Sequence, residues 1–424
     1  MVITALKKTA EIKKEQYPTS AKTIIENSYM DDIVDSCTNQ NVARQTTKEV
    51  NTILSFGGFQ VKRWFISGVK EQSEDHNANR KPLFIQGTDI LQNDSLQRVL
   101  GMNWETDTDN IIFESSCSNN PPNGMQPSQI SPTISAQLTK RFILSKVNSL
   151  YDPLGLLSPF TVRAKILLRK LWAIQYPALD CDDLIPSHYH EEWSNFFDGT
   201  TRVHELKFRR CLKPIGAIGL PTLVIFSDGS GVAYGAVCYA RWKCQDGTFQ
   251  STLICSKNRL APIKVIDTVR LELLGAVISK RLRSFINKHM RYKFDKTYHI
   301  VDSEIVKAMI NKGSYGFNTF AANRIGEIQD TTSSSEWFWI PGKMNISDWI
   351  TRGKEVTDLN TDSIWQQGPD FLKLPEQEWP IKSQTDVADL PERISSVFQV
   401  AAMIEETLAS RIKIERFSSL NKLL

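Results

Sequence analysis

The sequence is more informative at first for what it withholds. Its seven cysteines (Cys37, Cys117, Cys181, Cys211, Cys238, Cys244 and Cys255) include no CxxC pair, and with only six histidines there is no HH–CC zinc pattern. An integrase-type zinc module is therefore disfavoured, and scattered thiols used as small apolar residues suit a reducing compartment. The N-terminus, MVITALKKTAEIKKEQ, has no apolar run of signal-peptide length. Nowhere does the chain reach the roughly 18 consecutive apolar residues that a membrane span needs. The expectation is a soluble, intracellular protein of the cytoplasm or nucleus, without a membrane partner. Neither sign of charge dominates: net charge is +4 over 424 residues, which permits nucleic-acid binding without arguing for it.

What is present suffices for more than one core. A 41% hydrophobic and 23% charged composition is ordinary for globular domains, and the length calls for two or three of them. Residues 1–26 read as helix broken by Pro18. A hairpin candidate, SYMDDIVDS, follows, then a helix at about 41–56 stopped by Gly57-Gly58 and a strand in FQVKRWFIS. LQRVLGMNWETDTDNIIFE suggests two short strands around an Asp- and Thr-rich turn. The Ser-, Asn- and Pro-rich stretch 114–135 reads as a linker. Beyond it, 136–215 is largely helical around YDPLGLLSP, and from about 216 to 355 strand-length apolar runs alternate with two strong helices. A C-terminal extension occupies 356–424, with a helix expected at 391–412.

Within 216–355, four acids occupy places where unpaired charge is costly. Asp228 ends the apolar run LVIFS and enters the turn DGSG. Glu272 sits among Leu271, Leu273 and Leu274 in the first turn of an almost wholly apolar helix. Asp302 ends TYHIV, and Asp348 opens a short helical turn after EWFWI and the loop PGKMNIS. Taken singly each has an ordinary reading: a turn residue for Asp228, a helix-dipole partner for Glu272, an N-cap for Asp302 and Asp348. Taken in order they suggest convergence. An isolated carboxylate in apolar surroundings loses several kcal/mol of solvation unless it is paired or bound to metal. Hard divalent cations prefer such oxygen ligands, and two ions about 3.5–4 Å apart can activate water and stabilise a leaving oxygen in phosphodiester hydrolysis.

The segments FSDGSGVAYGAVCY, SKNRLAP, VRLELLGAV, HIVDSEIV and WIPGKMNISDWITRG together resemble the ribonuclease H-like region of Pol polyproteins from Pao/BEL-type LTR retrotransposons. The resemblance extends to YDPLGLLSPFTVRAKILLRKLW and IWQQGPDFLKLPEQEWP, and so covers most of 24–380. It implies an α/β protein with a mixed five-stranded sheet and flanking helices. It also implies two Mg²⁺ (or Mn²⁺) ions bound by Asp228, Glu272, Asp302 and Asp348 as the catalytic acids, and hydrolysis of RNA in RNA–DNA hybrids. Other retroelement Pol or Gag products would be further partners. One position departs from the pattern: where many ribonucleases H carry a histidine before the last acid, this loop has Lys343.

SYMDDIVDS, with Tyr29, Met30, Asp31 and Asp32, resembles the YxDD motif of a reverse transcriptase, and GGFQVKRW and VLGMNWETDTD resemble its downstream palm and thumb. Polymerase metal chemistry needs a further aspartate from an earlier strand, and residues 1–30 contain none. The expectation for 1–113 is thus an incomplete palm and thumb without polymerase activity. Candidate phosphate contacts are Lys257 and Arg259 near the acids, with Lys343 and Arg352, and the basic run KRLRSFINKHMRYKFDK at 280–296. Two other functions stay open. One is a catalytically inert nucleic-acid-binding fragment. The other is a Pao-type aspartic peptidase, which the lack of any D-T-G or D-S-G disfavours, since Asp228-Gly229-Ser230 has the wrong order.

Overall fold

The computed structural model describes residues 2–30, 32–68, 96–114, 138–174, 178–385, 387 and 389–394. The chain divides into two compact units, 1–153 with 181–212, and 154–180 with 213–424.

The first unit starts with helices α1 (Val2–Ile12) and α2 (Pro18–Asn27), where Pro18 begins the second helix, since a first-turn proline loses no hydrogen bond. Strands β1 (Ser28–Tyr29) and β2 (Asp32–Ile33) pair antiparallel, with Met30 at φ 52° in the turn. Helix α3 (Gln40–Phe56) is capped by the Asn39 side chain and packs Val50, Ile53 and Leu54 against Ala10, Ala21 and Ile24. The strand expected in FQVKRWFIS is irregular backbone over 59–66. Phe59, Val61 and Trp64 turn their side chains into the helical cluster instead, and no described strand pairs with the segment. LQRVLGMNWETDTDNIIFE makes three strands rather than two: β3 (Leu96–Val99), β4 (Met102–Glu105) and β5 (Asn110–Ile112). Helix α4 (Lys140–Ser149) follows, capped by Thr139.

The chain then contributes α5 (Ser158–Trp172) to the second unit and returns to the first for α6 (His190–Thr201) and β6 (Lys207–Arg209). Strand β6 completes an antiparallel sheet of order β3-β4-β5-β6.

The second unit is built on a five-stranded mixed sheet. Strands β7 (Ala217–Gly229), β8 (Ala233–Cys244) and β9 (Phe249–Leu260) form an antiparallel meander. After helix α7 (Thr268–His289), strand β10 (Thr297–Val301) lies parallel to β7. Helices α8 (Glu304–Lys312) and α9 (Thr319–Gln329) precede β11 (Trp337–Trp339), which is parallel to β10. The order is β11-β10-β7-β8-β9, and with its flanking helices this is the ribonuclease H-like arrangement.

The period-two alternation of β7 sorts its side chains to two covered faces. Leu223 and Ile225 join Ala236, Cys238, Ile278 and Ile286 under α7. Phe226 points the other way, to Tyr239 and Phe371. That second face is closed by residues beyond α10 (Asp348–Arg352), including α11 (Ile364–Gln367). There Tyr239 Oη–H donates to the Trp365 carbonyl (2.8 Å), and the buried Arg241 donates to the carbonyls of Leu372 and Leu374 (2.7 Å each). Trp339 and Lys382 exchange backbone hydrogen bonds of 2.8 Å, and Leu390 is buried with α7, α8 and α9. Helix α5 is also integral: Ser256 N–H donates to the Leu154 carbonyl (2.9 Å), and Lys165 Nζ donates to Asn258 Oδ1 (2.9 Å). The helix expected at 391–412 lies almost wholly outside the described residues. No helix among the described residues is long and apolar enough to cross a membrane.

Candidate active site

Strand register places the first two acids. Val301 of β10 is paired with Ser227 of β7, so Asp302 and Asp228 are the next residues of adjacent parallel strands, at one end of the sheet. Asp228 is buried inside β7, not in a turn, and its Oδ2 accepts a hydrogen bond from Thr351 Oγ1. Asp302 is not a helix cap. The cap of α8 is Ser303, whose Oγ accepts from Val306 N–H (3.3 Å), while the Asp302 carbonyl accepts from the Trp339 indole (2.8 Å).

Helix α7 brings the third. It starts at Thr268 with Asp267 as cap, so Glu272 lies in the second turn and not the first. Two glycines set the approach. A Cβ on Gly229 would collide with the backbone of Leu271 and Glu272, and one on Gly275 would stand 2.5 Å from the Asp228 carbonyl oxygen. Helix and strand therefore touch backbone to backbone, with Asp228 and Glu272 on either side of the contact.

Asp348 is the first residue of α10, but the cap position belongs to Ser347 and no side chain caps this helix. Its carboxylate accepts instead from Arg352 Nε and is about two-fifths exposed. The loop before it closes on Asp302: a Cβ on Gly342 would lie 3.4 Å from Asp302 Oδ2.

Three residues not singled out from sequence hold these acids. Asn345, buried, donates through Nδ2 to the Ser227 carbonyl (3.0 Å), hydrogen-bonds the Asp302 carboxylate, and accepts from Ser347 Oγ (2.5 Å). Ser303 hydrogen-bonds Glu272, and Thr351 holds Asp228. The only signal in sequence was their proximity to acids, which many Ser, Thr and Asn residues share.

The carboxylates feel one another. Burial pushes the Glu272 carboxyl up to about 7; the Ser303 hydrogen bond opposes this, and repulsion from Asp302 and Asp228 adds to it. Burial, then repulsion from Asp228, pushes Asp302 up to about 6, against the hydrogen bond from Asn345. Asp228 is raised by burial, with Thr351 opposing and Asp348 adding. Such a set is strained in its ionised form and would be relieved by positive charge. The donors are all carboxylate oxygens, the chemistry that suits a hard divalent cation. Among the described residues, however, no three His, Cys, Asp or Glu side chains close into a ready ligand shell.

Of the candidate phosphate contacts, Lys257, Arg259 and Lys343 are exposed, whereas Arg352 is engaged by Asp348. Four of the seven basic residues in the run at 280–296 have ion-pair partners: Lys280 pairs with Asp330, Arg281 with Glu327, Arg283 with Glu336 and Lys296 with Glu376. In the first unit, Tyr29 and Met30 are exposed and Tyr29 pairs across the hairpin with Asp32; Asp31 lies outside the described residues.

Residues 139–303 match the family described as the Pao retrotransposon-like RNaseH-like domain. The match spans well under half the chain; it includes Asp228, Glu272 and Asp302 and ends before Asp348. No curated protein matches significantly. Among solved structures, the N-terminal RNase H domain of a Mycobacterium tuberculosis protein, fused to maltose-binding protein, is 17% identical over 30% of this chain and 86% of its own, with a TM-score of 0.20. RNase H1 from the halophilic archaeon Halobacterium salinarum is 11% identical over 30% of this chain and 89% of its own, also at 0.20. Scores that low carry no weight, and the fold assignment rests on strand order and register.

Proposed function

We propose that the second unit is a divalent-metal-dependent nuclease that hydrolyses the RNA strand of RNA–DNA hybrids. The observation that carries this reading is the meeting of Asp228, Glu272, Asp302 and Asp348 at one end of the sheet, with three of the carboxyls raised by burial and mutual repulsion. These four would hold two Mg²⁺ or Mn²⁺ ions. When bound, such ions supply an activated water and stabilisation of the leaving oxygen. The protein's own residues provide the rest. Thr351 fixes Asp228, Asn345 fixes Asp302 against the end of β7, and Ser303 fixes Glu272. With its carboxyl pushed up to about 7, Glu272 is partly protonated at neutral pH in the metal-free protein, which eases the repulsion from its neighbours. Lys343, on the loop that closes over Asp302, stands where it can offer positive charge to a phosphate, as do Lys257 and Arg259 from β9. A hybrid would be read through backbone shape and 2′-hydroxyls.

In the same reading, the 28–33 hairpin with Tyr29, Met30, Asp31 and Asp32 is a vestige of a reverse transcriptase and supports no synthesis, and the chain derives from a retroelement Pol product. A second reading, an inert nucleic-acid-binding fragment, is favoured by one observation: Arg352 already engages Asp348.

Cleavage of a labelled hybrid by the full chain, with and without Mg²⁺, separates the two. The nuclease reading expects cleavage that chelation abolishes and that Asp302→Asn abolishes without altering the far-UV spectrum. Hybrid binding with no cleavage, whether or not Mg²⁺ is present, would leave the inert fragment.

A further inference from the structure

The β8–β9 ladder sets Cys238 directly across from Cys255. Opposed residues of an antiparallel ladder have Cα atoms about 4.5–5.5 Å apart, inside the roughly 4.4–6.8 Å over which a disulfide closes. Both side chains lie on the sheet face beneath Ile278 and Ile286 of α7, and the two thiols are close enough to influence each other's ionisation. Both are free thiols; Cys238 is completely buried, whereas Cys255 is 9% exposed. Cys255, the more exposed of the two, is the partner that a small oxidant reaches first, while burial, reinforced by the neighbouring thiol, pushes the Cys238 thiol well up. The register shifts immediately beyond Cys238, where Tyr239 pairs with Leu253. An irregularity of this kind bends the strand locally.

We propose that Cys238 and Cys255 are a reversible oxidation site that closes to a cross-strand disulfide when the protein meets hydrogen peroxide. The Cys255 thiolate attacks one peroxide oxygen and the O–O bond breaks. The departing hydroxide takes up a proton to become water, and Cys255 is left as a sulfenic acid. The Cys238 sulfur then attacks the Cys255 sulfur; the S–S bond forms, and the leaving hydroxide takes the Cys238 proton as a second water. Two thiols are oxidised and one peroxide is reduced to two waters. A dithiol reductant reverses the bond by exchange. The consequence is a covalent tie between two strands under the helix that carries Glu272. It stands independently of the proposed hydrolysis.

The test treats the folded full-length chain with graded hydrogen peroxide, blocks remaining thiols with iodoacetamide, and maps an unreduced digest by mass spectrometry. The expected product is a peptide pair joined through Cys238 and Cys255, lighter by two hydrogens than the separate peptides and released by dithiothreitol. Cys238→Ala should lose the cross-link and leave a Cys255 sulfenic acid that dimedone traps. Sulfinic or sulfonic acid at Cys255 with Cys238 still alkylated would overturn the proposal. So would both thiols surviving unaltered after the exposed Cys37, Cys181 and Cys211 have reacted.

Discussion

Gly275 of α7 faces the Asp228 carbonyl so closely that a methyl group at this position would stand 2.5 Å from the oxygen. The spacing between strand and helix, and with it the offset between Asp228 and Glu272, is therefore fixed by main chain and not by adjustable side chains. Gly275→Ala must push the helix off the sheet. The expected loss is about 3 kcal/mol or more, at the upper end of overpacking costs, read as a lowered denaturant midpoint. An unchanged midpoint would show that the contact is looser than described.

The raised carboxyls predict an unusual stability profile. An acid whose folded pKa exceeds its unfolded one binds more protons in the native state at intermediate pH, so stability falls as pH rises. For Glu272, moved from 4.5 to about 7, and Asp302, moved from 3.8 to about 6, the decline begins near pH 4 and is complete just above pH 7. In chelator, the melting temperature should drop across that window; Glu272→Gln should flatten the drop, and Mg²⁺ should restore the loss at neutral pH. A profile that rises through the window would contradict the buried, mutually repelling arrangement.

Asn345 and Thr351 are positioning residues, each acting through an acid. Asn345→Ala removes a hydrogen bond that holds the Asp302 carboxyl down, so the Asp302 titration should move further up and Mg²⁺ affinity fall by about 10- to 100-fold. Thr351→Val keeps the shape and removes the donor to Asp228, with a similar direction. Calorimetric Mg²⁺ titration at two pH values distinguishes this from simple destabilisation, which would not shift the pH dependence.

Lys257 and Arg259 are exposed on β9 and make no ion pair among the described residues, unlike Lys280, Arg281 and Arg283 of α7. Replacing both with alanine should weaken hybrid binding at low salt and reduce the slope of log affinity against log salt by about 1 to 2. Replacing Arg281, which is committed to Glu327, should leave that slope unchanged.

Much of the second unit could be read from its sequence, because its signals are local. Continuous apolar runs ending in an acid, as in LVIFSD and TYHIVD, mark buried strands with a charged end, and VRLELLGAV marks a helix covered on most sides. What the sequence could not show is register. The pairing of Val301 with Ser227, which sets Asp302 beside Asp228, joins residues far apart in the chain. Asn345, Ser303 and Thr351 were invisible for the same reason: a hydrogen bond across the fold leaves no mark on spacing. FQVKRWFIS misled because apolar alternation is shared by strands and by irregular segments that pack on helices, and only a partner strand distinguishes them.

Helix α5 belongs to the same unit as the acids, while 181–212, which follows it, belongs to the other. Each unit is thus made from two stretches of chain, so no single proteolytic cut can release either one whole. Truncation from the N-terminus past Trp172 would remove the residues that brace β9 along with everything before them, and a fragment beginning at the first sheet strand would start without its own brace. Separating the two units would require reconnecting the chain, by permutation or by a bridging linker, at two places.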